Sequence, residues 1–433
     1  MSLPLDTVCE FPAERSSSRL RPLLQTAWRY GISTSGPVAT SGAHFLASLI
    51  FVRNLPAREF GLFSFVLVIV PFCMSLMGAA LIIPVTRSLH DTPEARARIV
   101  ASCLKFNLLL SLMAALAVFS SLLMTGARPE PAALLALFGG VLTARWFARC
   151  FAYVQGRVHR AVLSDLVYAA LLVASLGALA LSHHVSLVLG AALLLASACA
   201  GLLPLGRDYF VDQIAAIHDG HLRDYAPIFR DVTRWSLLGV AFTEVTVNAH
   251  AYLVTFIAGP GAFALLALGM LLMRPVSLMQ SALPDLERPA MTRAIAARDL
   301  KKLLVTKREF FAALLAMWSV TILLAGGLLL WAPHLLLKKG YALDDVLAVT
   351  ALTALIMMLR NFRTPPSVLL QAAGEFKALA SIGTKSCLVS VGATLALLLA
   401  FGPIASLLGV AAGEMVILLS VRRMSRDWVA QHG

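Results

Sequence analysis

Apolar runs of about twenty residues alternate with short polar links along nearly the whole chain, and each run is long enough to cross a bilayer core as a helix. Twelve such spans are predicted, at 36–52, 60–83, 100–124, 131–153, 161–181, 185–206, 235–258, 262–283, 310–332, 344–363, 376–400 and 402–421. The stretch Gly36 to Pro84, two runs around a link with Arg53, Arg58 and Glu59, recurs more faintly from Asn248. Ala43-His44 returns as Ala249-His250, Gly61-Leu62-Phe63 as Gly261-Ala262-Phe263, and the Pro71/Pro84 pair as Pro275/Pro284. Further on, Arg145-Trp146-Phe147 aligns with Arg360-Asn361-Phe362, and Gln155-Gly156 with Gln371 and Gly374. The common order points to an internal repeat of six spans. Two six-span halves enter the membrane in the same direction, so the repeat axis runs along the membrane normal.

The expected architecture is therefore an all-α polytopic membrane protein: two six-helix lobes forming a V about a central cavity lined by spans 1, 2, 7 and 8. Residues 1–30 form a tail, 31–206 the N-lobe, 207–234 an inter-lobe link, and 235–433 the C-lobe with a short C-terminal tail. The link 207–234 and the link 284–309 are the longest, and the second is expected to form a surface elbow after Pro289. Asp91-Thr92-Pro93-Glu94 reads as a helix start, with a cap residue before proline at the first helical position.

Composition agrees: 59% of the 433 residues are hydrophobic and 14% charged, with a mean hydropathy of +0.82. The net charge of +13 would suggest a nucleic-acid partner in a soluble chain. Here it follows from where the cations fall: of 36 Lys and Arg, 29 lie in segments and span ends on the side of the N-terminus and five opposite, leaving Arg274 and Lys385 inside spans. That bias places both termini in the cytoplasm and excludes nucleic acid as a partner. Residues 1–29 hold seven charges and no apolar core, so a cleaved signal is not expected.

The six cysteines form no CxxC pair, and His183-His184 and His218/Asp219/His221 lie in polar links without further ligands, so no metal or cofactor is expected. There is no phosphate loop and no HExxH, which leaves an ion gradient, the membrane potential or the substrate gradient as driving force, and a non-enzyme as the reading. The candidate site residues are the polar ones inside spans, costly there unless they face an interior. Arg274 lies about 20 Å of helix from the external turn at Gly261, at nearly the depth of Glu244. The two are expected either to lock spans 7 and 8 as an ion pair or to serve an anionic substrate. Lys385 and Glu414 are expected to pair across the turn of spans 11 and 12. His44 and His250 gain weight as repeat equivalents, and Arg145 and Arg360, aligned between the halves, complete the set. Serine and threonine stripes in spans 1 and 7 read mainly as helix contacts.

The run GAHFLASLIFVRNLPAREFGLFSF resembles the first hairpin of polysaccharide-repeat (Wzx-type) flippases of the multidrug/oligosaccharidyl-lipid/polysaccharide (MOP) exporter superfamily, with Arg53, Leu55 and Glu59-Phe60-Gly61 between spans 1 and 2. Further likeness lies in MLLMRPVSLM (Met270–Met279) and LLQAAGEFKALA (Leu369–Ala380). The resemblance implies a monomer of the bacterial inner membrane. It would move undecaprenyl-diphosphate-linked oligosaccharide repeats from the cytoplasmic to the periplasmic leaflet for O-antigen, capsule or exopolysaccharide assembly. Its partners would be the lipid-linked oligosaccharide diphosphate, the bilayer, and polysaccharide polymerase and chain-length proteins. Only Arg274, in its Arg-Pro context, carries over as a substrate residue. A second reading is a proton- or sodium-coupled multidrug exporter of the MATE type, for which Glu244 would face the cavity and Arg274 would turn away. Span 1 has no acidic residue, which counts against it. A membrane enzyme of glycan assembly ranks last, since no acid/base groups gather on the external face.

Overall fold

The computed structural model describes residues 20–88, 92–335 and 341–432. Calls on most of the N-terminal tail, on Asp91 and on Lys338 and Lys339 lie outside the described residues. Every regular element among those described is helical.

Spans 1 to 6 are α1 (Leu20–Asn54), α2 (Ala57–Met77) with α3 (Ile83–Arg87), α4 (Pro93–Met124), α5 (Pro129–Val154), α6 (Val158–Leu181) and α7 (Leu187–Ala200). The segment read as an inter-lobe link carries two helices, α8 (Arg207–Asp219) and α9 (Leu222–Ile228). Spans 7 to 12 follow as α10 (Arg234–Ile257), α11 (Pro260–Leu272) with α12 (Arg274–Ala296), α13 (Leu300–Trp331), α14 (Leu343–Ala372), α15 (Phe376–Phe401) and α16 (Ser406–His432). Among the described residues, nine of the spans are long and apolar enough to cross a membrane, and the bent pair α11–α12 makes a tenth. The other two, α14 and α16, carry Arg360, Arg363 and Glu414.

Local chemistry sets several boundaries. Thr92 caps α4, its hydroxyl accepting from the Ala95 amide, with Pro93 at the first helical position. Asp299 caps α13 by accepting from the Lys302 amide at 2.9 Å, and no separate elbow helix stands between α12 and α13. The equivalent helices α5 and α14 end alike. Gly156 and Gly374 take φ of 75° and 82°, and the amides of Arg157 and Glu375 reach back to the Ala152 and Leu370 carbonyls at 2.8 and 2.9 Å. A residue with a Cβ would be strained at either position.

The two halves pack by one plan. α1 lies on α6 as α10 lies on α15, α4 on α5 as α13 on α14, and α5 on α7 as α14 on α16. This is two six-helix lobes in parallel repeat. The lobes meet through spans 1, 2, 7 and 8, chiefly α2 against α11. At the end expected outside, Gly61 packs directly on the Pro260 carbonyl, where a Cβ would collide with it. Gly61 and Gly261 are repeat equivalents, so the lobes touch at equivalent positions, as a two-fold contact requires. Phe65 of α2 extends the closure edge-on to Tyr252, Phe256 and Phe263, with centroids 5.9, 5.6 and 6.1 Å away.

Spans 2 and 8 are both interrupted, in different ways. Span 2 passes through a π-helical segment, Gly78–Ile82, bracketed by Pro71 and Pro84, while Pro71 itself stays inside α2. Tyr225 of α9 donates its hydroxyl to the Ala80 carbonyl in that segment. Span 8 bends by 60° between Leu272 and Arg274, just before Pro275.

Candidate functional site

Arg274 stands at the first position of α12, directly after the bend. The positive end of the α12 dipole and the guanidinium charge therefore coincide within the membrane, an arrangement that favours an anion. Arg274 lines a cavity of about 80 Å³ in the inter-lobe seam with His44 and Ser48 of α1, Ser64 of α2 and apolar side chains that include Phe263 and Met270. That volume holds only a few waters. Among the described residues Arg274 has neither an ion pair nor a side-chain hydrogen bond.

From the seam, contacts run inward through the N-lobe. His44 Nε2 and the Tyr168 hydroxyl share a hydrogen bond of 2.6 Å. The Tyr168 ring lies 4.3 Å beneath the Arg145 guanidinium, a buried cation–π contact. Arg145 and Arg149 each donate to one oxygen of Asp165 at 3.0 Å. Asp165 is fully buried, and Gly36 leaves room for its carboxyl, since a Cβ there would overlap it. Arg145, expected to offer its charge to a substrate, is thus enclosed in an ion pair.

In the C-lobe, Arg360 Nε donates to Glu414 Oε1 at 2.7 Å and Arg363 Nε to Glu414 Oε2. This overturns the expected pairing of Lys385 with Glu414, because Lys385 points away from the bundle interior and is exposed. Counting residues from a turn gives depth in the membrane but not direction around the helix, and direction decides here. The same reason separates Arg274 from Glu244. Glu244 accepts from Asn248 Nδ2 at 2.7 Å and the Tyr252 hydroxyl at 3.3 Å. It lines a different cavity, of about 870 Å³, between α10, α14, α15 and α16, together with Arg363 and, from α2, Ser75. That is the size of a small-molecule site. His250 is buried, and neither ring nitrogen has a partner. Thus Arg274 and His44 come together, Arg363 brings the Arg360 cluster to the Glu244 cavity, and Lys385 joins neither.

Reading the sequence overlooked Asp165, Arg149, Arg363 and Tyr168 as members of the site. Asp165 had a signal, being a carboxylate inside an apolar run where only a cation makes it tolerable. With it, five arginines (145, 149, 274, 360 and 363) stand against three carboxylates (165, 244 and 414), so the interior is net cationic.

No protein-family model matches the chain, and no curated protein matches it by sequence. Solved structures do. An inward-facing multidrug-resistance MATE family transporter of the MOP superfamily superposes with a TM-score of 0.68 at 17% identity, covering 92% of this chain and 98% of that one. An outward-facing MATE transporter gives 0.63 at 16%, over 93% and 94%. A MOP-superfamily transporter from Pyrococcus furiosus, described as having a binding pocket of reversed polarity that suggests a different function, gives 0.61 at 18%, over 93% and 94%. The fold is that of the MATE transporters of the MOP superfamily, and at these identities the likeness is one of fold.

Proposed function

We propose that the chain is an alternating-access transporter of the bacterial inner membrane, with both termini in the cytoplasm, that flips undecaprenyl-diphosphate-linked oligosaccharides outward for surface-glycan assembly. The observation that carries this reading is Arg274. It is the one of the five arginines named above with no carboxylate partner among the described residues, and it stands at a helix N-terminus in the seam between the lobes. A diphosphate leaving water needs cations and N–H donors to replace its hydration, and a planar guanidinium binds two phosphate oxygens at once. The seam, shut here at the Gly61–Pro260 contact, would open to admit the headgroup. The polymerase and chain-length proteins would then act on the delivered repeat, and nothing in this role calls for a nucleic acid.

A second reading, a proton- or sodium-coupled multidrug exporter, is favoured by Glu244 in the larger cavity. The two separate in a strain lacking the gene. Under the flippase reading that strain loses surface polysaccharide and accumulates lipid-linked repeat. Arg274→Ala should then fail to restore export while reaching the membrane in normal amount, because no carboxylate is left unpaired by the change. Arg274→Lys should restore it in part, since the charge stays and the fork is lost. Full export by Arg274→Ala would sink the flippase reading, and cation efflux that depends on Glu244 would establish the other.

A further inference from the structure

We propose that α8 is a membrane-interface helix whose exposed face inserts into the phospholipid leaflet on the side where α4 begins. Its sequence divides the helix into three faces. At 100° per residue, Tyr209, Gln213 and Ala216 fall within an arc of about 60°, Asp208, Asp212 and Asp219 within about 40°, and Phe210, Val211, Ile214 and Ile217 within about 120°. The first face is buried against α4. The third is wide and unpartnered, with exposures of 37%, 53%, 63% and 45% for Phe210, Val211, Ile214 and Ile217, and it is apolar through its middle, with Arg207 and His218 inside the same arc at the two ends of the helix.

The level at which α8 is held identifies the partner. Gln213 donates to the Leu104 carbonyl at 2.6 Å and accepts from Asn107 at 3.1 Å, while Tyr209 donates to Gln213 at 3.1 Å. This buried polar network pegs the middle of α8 to residues 104–107 of α4. Directly beyond that level α4 turns an exposed apolar surface outward, Leu108, Leu109 and Leu112, and Leu203 just before α8 is exposed as well. The apolar face of α8 is thus continuous with the surface that meets acyl chains and starts where that surface starts. Cations stand at the same boundary: Arg160 donates to Asp208 at 3.3 Å, Arg157 lies 3.6 Å from it, and Lys105 donates to the Gly220 carbonyl. An apolar stripe flanked by basic residues at the headgroup level is the pattern of an interfacial helix. Such a helix would hold the start of the inter-lobe link to the membrane surface while the lobes move.

The test places an environment-sensitive nitrobenzoxadiazole label at Ile214→Cys, Ile217→Cys or Asp219→Cys in the full chain, with its six native cysteines replaced by serine. The protein is reconstituted in vesicles of phosphatidylethanolamine and phosphatidylglycerol, with or without bromine on the acyl chains. The three side chains point away from α4, so labelling leaves the Gln213 network intact. Labels at 214 and 217 are expected to be quenched by the brominated chains at least about twofold more than the label at 219, which aqueous iodide should quench instead. Iodide quenching of all three alike would overturn the proposal, as would shielding of 214 and 217 from both quenchers, the mark of a protein partner. If the cysteine-free chain does not fold, an encoded environment-sensitive amino acid at the same positions of the native chain gives the same comparison.

Discussion

In the N-lobe, Arg145 and Arg149 of α5 close on Asp165 of α6; in the C-lobe, Arg360 and Arg363 of α14 close on Glu414 of α16. The helices that supply the arginines are repeat equivalents, but the acids come from spans 5 and 12, which are not. A carboxylate between two guanidiniums is therefore the shared requirement, and either neighbouring helix can provide it. The surroundings differ too. Both acids are buried, but the arginines differ: Arg145 and Arg149 are 4% and 16% exposed, Arg360 and Arg363 14% and 22%, and Arg363 borders the large cavity. The N-lobe cluster is closed around Arg145, whereas both arginines of the C-lobe cluster are within reach of solvent or ligand.

The largest expected effect follows from that contrast. Asp165→Ala strands two arginines, one of them without access to water, and should cost about 3–5 kcal/mol. Glu414→Ala strands two that can hydrate through the cavity and should cost about 1–3 kcal/mol. Thermal midpoints of the two variants in lipid nanodiscs rank them. Equal losses would show that the C-lobe cluster is as closed as the other.

Gly36→Ala tests the seal itself. The new methyl would meet the Asp165 carboxylate in a site with no room to yield, for an expected loss of about 1–3 kcal/mol. An unchanged midpoint would mean that α1 can draw back from α6 at no cost.

Tyr168→Phe comes next. It keeps the ring beneath Arg145 but removes the hydroxyl that meets His44, and should cost about 0.5–1.5 kcal/mol. If Arg274 acts together with His44, the same variant should slow export by more than its stability loss explains. The comparison needs export per folded molecule.

Much of this was legible before any coordinates, and the exceptions share a cause. The twelve spans follow from run length, and the six-plus-six repeat from matches such as Gly61/Gly261 and Gly156/Gly374, because bilayer thickness and helix-end geometry act locally on the sequence. Pro275 marked the broken span to within two residues of Met273. Pro84 likewise stands two residues beyond the π-helical segment Gly78–Ile82, which itself contains no proline. The ion pairs were misjudged because neighbours around a helix axis are chosen by tertiary packing. Lys385 and Glu414 share a hairpin, yet Lys385 faces outward and Glu414 faces α14. Asp165, one turn from Ala161, was passed over although its burial in an apolar run demanded a cation.

The smallest effect is expected at the repeat equivalent of His44. His44, half-buried beside the seam cavity, has a partner in Tyr168, whereas His250 is buried and has none for either ring nitrogen among the described residues. A buried donor or acceptor without a partner already carries its desolvation cost, so replacing it with an apolar group of similar size is near neutral or stabilising. His250→Leu should therefore shift stability by no more than about 0.5 kcal/mol in either direction, while His44→Leu should lose about 1 kcal/mol or more by stranding the Tyr168 hydroxyl. A loss at His250 as large as that at His44 would mean that the ring is satisfied in the folded protein by a water or an ion, and the lobes would then be alike at this position. If stability holds and export falls, His250 is retained for transport at the expense of the fold, and the two histidines differ in role as well as in bonding.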